Sequence, residues 1–189
     1  AGNANYTAAP QVTQNITVGQ GSQTITFTSA APAAAVVGGA TYTPAATGGA
    51  SGNAVVFSIA AGSSTVCSIS GGVVSFIGVG SCTVQANQAG NTNYTAAPQA
   101  TQAFTVGQGS QTITFGTAPT VNVGTTGTVS ATGGASGNAV IFTSTTPAVC
   151  TVSGTTVTGV TVGTCTIAAN QAGNANYTAA PQVTQNITV

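Results

Sequence analysis

Apolar and polar positions along this chain repeat with a period of two, the signature of half-buried strands, and no stretch carries the wider period of an amphipathic helix. In the second half, residues 110–115 alternate through Thr112, Ile113, Thr114 and Phe115. A second strand is predicted over 126–132, closed by Gly133 and Gly134, and 139–144 (AVIFTS) is an apolar run bounded by turns. Strands at 149–152, 155–160 and 164–168 follow, separated by Ser153-Gly154 and Val162-Gly163, and 182–189 closes the series. The first half repeats this order at 22–27, 41–47, 54–59, 66–69, 73–77, 82–86 and 101–106. About seven short strands per half, punctuated by turns, predict an all-β chain of two tandem antiparallel β-sandwiches. Phe27, Phe57 and Phe76, with Phe115 and Phe142 as counterparts, are the expected core aromatics.

Internal repetition sets the organisation. Residues 1–18 (AGNANYTAAPQVTQNITV) recur letter for letter at 172–189, 171 positions later. Inside that period lies a shorter one. GQGSQTITF stands at 19–27 and again at 107–115, and GGASGNAV at 48–55 and 133–140. The modules are therefore 19–106 and 107–189, and their length differences fall in Gly-, Ala-, Ser-, Thr- and Pro-rich stretches, as loop insertions do. Residues 1–18 read as the last-strand segment of a preceding repeat. Both modules already own such a strand, so strand exchange is not demanded by the count. In a simple array GQGSQTITFTSA is expected to follow Val189.

Composition then removes most chemistry. The chain has no Lys, Arg, Asp, Glu or His. No side chain can act as a general acid or base near neutral pH, and a Ser, Thr or Cys nucleophile has no basic partner. The expectation is that the chain is not an enzyme and holds no cofactor or metal. Nucleic-acid binding loses the cations on which its affinity rests. Disorder is not expected either, because 42% of the residues are hydrophobic and mean hydropathy is +0.36. The Ala-rich stretch 30–40 is interrupted by Pro32, Gly38 and Gly39, so no membrane insertion is expected. Gly107-Gln108-Gly109 resembles the start of a dinucleotide fingerprint, but no predicted helix follows and no acidic residue exists to hold a ribose. With Val106, these residues read as an interdomain joint.

SQTITF, the string AVIFTSTTPAVCTVSGTTVTGVTVGTCTIAANQAGNANYTAAPQVTQNITV and its equivalent in the first module carry a family resemblance. The chain resembles the bacterial immunoglobulin-like tandem repeats of large secreted and cell-surface proteins, over essentially its whole length. The resemblance implies an immunoglobulin-like sandwich serving as a spacer in stalks of adhesins, biofilm proteins and other extracellular fibres. It transfers no binding specificity. The partners it implies are neighbouring copies of the repeat, and the absence of charge favours lateral bundling of fibres.

Cys67 and Cys82, like Cys150 and Cys165, are 15 residues apart. Zinc would want closer pairs or added histidine, and reactive thiols want electropositive neighbours. Intramodule disulfides Cys67–Cys82 and Cys150–Cys165 are the favoured reading, with buried thiols and intermolecular bonds as alternatives. Each pair falls on the fourth and sixth predicted strands, unlike the long-range bridge of antibody domains. Disulfides place the chain in an oxidising compartment, extracellular or at the cell surface.

Tyr6, Tyr94 and Tyr177 occupy one repeated position, the N-X-N-Y-T loop. Such a ring beside amides can stack on a sugar, which makes polysaccharide binding the alternative function. The favoured reading has the ring packing over a sandwich end, and the loop against the neighbouring module. Asn5, Asn15, Asn93, Asn176 and Asn186 stand in Asn-X-Thr sequons, which this composition generates freely. Joints of about three residues, with no acidic side chain for calcium, predict stiffness that does not depend on calcium.

Overall fold

The structure is a computed structural model describing Gly2 and residues 4–189. Its first sandwich contains β1 (Thr26–Phe27), β2 (Ala35–Val36), β3 (Ala46–Thr47), β4 (Val55–Ile59), β5 (Cys67–Ser70), β6 (Val73–Phe76), β7 (Gly80–Gln88) and β8 (Ala100–Gly107). One sheet runs in the order β2-β8-β7-β4. Facing it, β5 and β6 are widened by Tyr42, which pairs with Val74, and β1 and β3 form a separate ribbon. The second sandwich contains β9 (Thr114–Phe115), β10 (Thr126–Thr128), β11 (Ala131–Thr132), β12 (Val140–Ser144), β13 (Cys150–Ser153), β14 (Thr156–Gly159), β15 (Thr164–Gln171) and β16 (Val183–Thr188). Here the sheets are β12-β15-β16 and β10-β14-β13, with β9 and β11 as the ribbon. The fold is an all-β, immunoglobulin-like β-sandwich architecture.

The long central strands follow the two-residue period. On β7, Cys82, Val84, Ala86 and Gln88 are buried in succession, and on β15 Cys165, Ile167, Ala169 and Gln171 do the same. The β5–β6 hairpin turns through Gly71 and Gly72, with φ of 56° and 80°. Positive φ at both central residues gives the turn whose twist matches the strands. The first module's extra residues before Cys67 form a short 3-10 turn at Ala61–Ser63.

Several expectations need correction. The strands expected at 22–27 and 110–115 shrink to their last two residues, because Gln23 and Gln111 bond to loops rather than to a ladder. The strand expected over 126–132 is two: β10 pairs with β14 and β11 with β9, so the chain changes partners after Thr128. β2 arises in the Ala-rich stretch, where no strand was expected. It pairs in parallel with the end of β8, so the sandwich is not wholly antiparallel. The reason is connectivity: β8 is left with a free edge that no hairpin neighbour fills, and the incoming segment runs in the same direction.

The aromatics also differ from expectation. Phe27 and Phe57 pair at 5.9 Å, and Phe115 and Phe142 at 5.8 Å, as half-buried partners of the cores. Phe76 is buried, but the centre of its cluster is Phe104, whose ring meets Phe76 and Tyr42 edge-on, each at 5.7 Å. By strand register, Gly127, Gly159 and Ile187 stand at these three positions in the second sandwich. Backbone and small side chains fill the space instead. A Cβ on Gly127 would lie 2.8 Å from both Pro119 Cβ and Val121 Cγ2.

Candidate functional site: the joint between the sandwiches

The end of β8 is held by the first sandwich. Val106 pairs with Ala35, Gly107 with Val36, and the Gly107 carbonyl accepts the Val37 N–H at 3.0 Å. Gly109 already belongs to the second sandwich. It pairs in parallel with Tyr177, donates its N–H to the Asn176 carbonyl at 2.9 Å and accepts the Thr178 N–H at 2.9 Å. Only Gln108 lies between them, and its Nε2 donates to the Asn174 carbonyl at 2.9 Å. The expected linker of about three residues thus shortens to one tethered residue.

The N-X-N-Y-T loop is built by its first asparagine. Asn174 Oδ1 accepts the N–H groups of Asn176 at 2.8 Å and Tyr177 at 2.9 Å, while its own N–H donates to the Tyr177 carbonyl at 2.8 Å. This side-chain turn fixes the ring direction. Tyr177 packs against the hydrophobic core of the first sandwich. The approach requires two glycines. A Cβ on Gly109 would stand 2.9 Å from the Tyr177 ring and 2.3 Å from the Val37 carbonyl oxygen. At Gly38, whose φ is 69°, it would stand 3.2 Å from the Tyr177 hydroxyl. Asn176 Oδ1 completes the contact by accepting the Val79 N–H at 3.2 Å. Val106, Gly107, Gln108, Gly109 and Tyr177 therefore meet in one place.

Tyr94 makes the same local structure. Gly21 pairs with Tyr94, its N–H donates to the Asn93 carbonyl at 2.8 Å, and Gln20 Nε2 donates to the Asn91 carbonyl at 2.8 Å. Residues 18–21 and 92–94 here border a cleft of ≈ 490 Å³. At Tyr177 the corresponding corner is occupied by residues 37–38 and 79 of the first sandwich. Tyr6, in the third copy of the loop, is exposed.

The four cysteines form two bridges, Cys67–Cys82 with Cα atoms 5.8 Å apart and Cys150–Cys165 at 5.5 Å. Each is short in sequence but crosses between the facing sheets, from β5 to β7 and from β13 to β15.

Sequence reasoning missed four buried glutamines, Gln23, Gln88, Gln111 and Gln171. Gln171 Oε1 accepts the Gly134 N–H and its Nε2 donates to the Asn138 carbonyl, both at 2.7 Å. Gln111 accepts the Ser136 N–H at 2.8 Å and donates to the Thr178 carbonyl at 2.9 Å, beside the joint tyrosine. Gln23 and Gln88 repeat these bonds in the first sandwich. The glutamines tie GGASGN to the N-X-N-Y-T loop, which explains why SQ, GGASGN and NQAGN recur together. Their fixed spacing in both copies was the available signal.

No protein-family model matches the chain, and no curated protein matches it in sequence. Among solved structures it is similar to the crystal structure of Drosophila N-cadherin EC1-4, at 10% identity and a TM-score of 0.31. The match covers 88% of this chain and 50% of that one, so the chain spans half the length of that structure. A likeness this slight bears on neither the function nor the partners of this chain. No helix among the described residues is long and apolar enough to cross a membrane.

Proposed function

We propose that the chain is a non-catalytic structural repeat of an extracellular fibre, stalk or matrix filament, a stiff spacer in a 171-residue periodic array. The observation that carries this reading is the joint, where Tyr177 and Asn176 of one sandwich lock onto Gly38 and Val79 of the other across a single linking residue. Modules 19–106 and 107–189 are the units of that array, and 1–18 is the last strand of the unit before. The resemblance to bacterial immunoglobulin-like surface repeats supports the same reading. Two inter-sheet disulfides favour an oxidising compartment outside the cytosol. Lateral bundling is favoured by Val56 and Ile141, equivalent residues on the edge strands β4 and β12, which are exposed with no charged residue to guard them.

Persistence length tests the spacer, measured by electron microscopy on a chain of several 171-residue periods. Straight molecules, unchanged by a chelator, are expected. Free bending at every joint contradicts the reading, and softening by the chelator contradicts calcium independence. The second reading, a polysaccharide-binding adhesin module, draws on the Tyr94 cleft. Chemical-shift changes confined to residues 92–94 on adding oligosaccharides would favour it.

A further inference from the structure

β12 is the outer strand of β12-β15-β16, so one of its sides is open by the order of the sheet. Thr145 donates its N–H to the Thr166 carbonyl at 2.9 Å, next to the pair Ser144↔Ile167. Bonded and unbonded pairs alternate along an antiparallel ladder. Ile141 and Thr143 therefore bond to β15, while the N–H and carbonyl groups of Val140, Phe142 and Ser144 point outward. Among the described residues no backbone group meets these three on the open side. The register is unbroken from Val140 to Ser144, with no bulge, proline or charged side chain to defend the edge.

The side chains divide by face. Ile141 and Thr143 are exposed, while Val140, Phe142 and Ser144 are half-buried and face the space between the sheets. That space is incompletely filled at the edge. A cavity of ≈ 330 Å³ is bordered by Val140, Phe142 and Gly154, and one of ≈ 300 Å³ by Phe142, Ser144, Pro147 and Val152.

We infer that β12 pairs with β12 of a second copy, antiparallel and centred on Phe142. In this register Phe142 faces its own counterpart, and Val140 of each copy faces Ser144 of the other. All three outward residues then form bonded pairs, about six hydrogen bonds in all. A slip by two residues in either direction leaves one pair fewer. The incoming side chains lie on the inward face, Val140 over the cavity beside Ser144, and Ser144 over the cavity beside Val140. A second copy is the occupant because the edge is uncharged. A charged strand would bury its charges without counter-charges here, and a copy brings none. The pairing sets neighbouring molecules antiparallel and recurs once per 171-residue period, so weak contacts add along an array. The inference rests on the lateral bundling in the proposed function and not on stiffness.

Cysteine cross-linking reads the register. Ile141 of one copy faces Thr143 of the other as an unbonded pair, with Cα atoms about 4.5 Å apart, which a disulfide can span. The full chain carrying Ile141→Cys is mixed with the chain carrying Thr143→Cys and oxidised, beside each variant alone. Both positions are exposed and the native cysteines are bridged, so thermal unfolding should match the wild type. The mixed dimer should exceed either homodimer by roughly tenfold, the ratio given by about 1.4 kcal/mol of register preference. Ile141→Lys should abolish light scattering by a chain of several periods, while Thr184→Lys, with the same charge on β16, should leave it. Equal yields of the three dimers, or an excess of a homodimer, overturn the proposal. Bundling that survives Ile141→Lys overturns it too, but spares bundling itself. Chains that never associate overturn both. A single chain whose Phe142 amide signal shifts on adding an extended apolar peptide takes a foreign strand there, which also overturns the pairing of copies.

Discussion

Alanine at position 109 is a direct probe of the joint. The added Cβ would meet the Val37 carbonyl oxygen at 2.3 Å and the Tyr177 ring at 2.9 and 3.0 Å. Gly109 does not adopt a left-handed φ, so the backbone accepts alanine and the cost is steric. The Val37 carbonyl is main chain, and its residue is anchored through its N–H to Gly107, so it cannot swing aside as a side-chain tip would. Overpacking of this kind costs about 1–3 kcal/mol. The contacts that hold the sandwiches together are of the same size. They comprise the Asn176–Val79 hydrogen bond, worth about 0.5–1.5 kcal/mol net, and the part of the Tyr177 ring covered by the first sandwich. The cheaper relief is for the sandwiches to part while each stays folded. Gly109→Ala should therefore blur the interdomain peak in the small-angle X-ray distance distribution with little loss in thermal midpoint. Gly21→Ala is the internal control. Its Cβ would meet only the Tyr94 ring of its own sandwich, at 3.0 Å, with the nearest carbonyl at 3.8 Å. Equal profiles for the two variants, or for Gly109→Ala and wild type, would refute the reasoning.

Gln171→Ala leaves Gly134 N–H and the Asn138 carbonyl without their buried partner, and should cost about 2–4 kcal/mol in urea unfolding. Gln182→Ala, which removes only an exposed bond to Asn170, should cost under about 0.5 kcal/mol. Gln102 accepts the Tyr42 hydroxyl, whereas Gln185 Oε1 is buried without a partner because Gly127 stands where a tyrosine would. Gln185→Leu should therefore cost clearly less than Gln102→Leu in the same assay. Opening either disulfide, by reductant or paired Cys→Ser changes, should remove about 3 kcal/mol from its sandwich in the chain-entropy account, read by calorimetry. With no carboxylate, imidazole or amine side chain, proton uptake on unfolding is nearly absent, so the thermal midpoint should stay flat from about pH 3 to pH 8. A sharp acid transition would contradict that account.

Most of the succession of strands along each module was legible, because short apolar runs between glycine turns leave little other choice. The readings 82–86 and 164–168 caught only part of the long strands β7 and β15, whereas the repeat located Tyr177 and Gly109 before any contact was known. What stayed hidden depends on the third dimension. β2 lies in an Ala-rich stretch of weak strand propensity, and only the free edge of β8 makes it a strand. Gln23 and Gln111 share the inward face of their strands with Ile25 and Ile113, but alternation alone does not say that an amide is buried there, and it is the glycine loops that offer these side chains backbone partners. Tyr42, on the strand expected at 41–47 and without a counterpart among the repeated tyrosines, proved to be a core ring on Phe104. The inter-sheet course of each disulfide was likewise invisible, since a separation of 15 residues does not say which sheets its ends occupy.

The central claim is that the two sandwiches share one fixed orientation through the Tyr177 lock. Residual dipolar couplings of backbone amides, fitted separately to residues 22–106 and 110–189, measure this directly. The account predicts one common alignment tensor, unchanged by calcium or a chelator and split into two by Gly109→Ala. Two different tensors in the unmodified chain would contradict it.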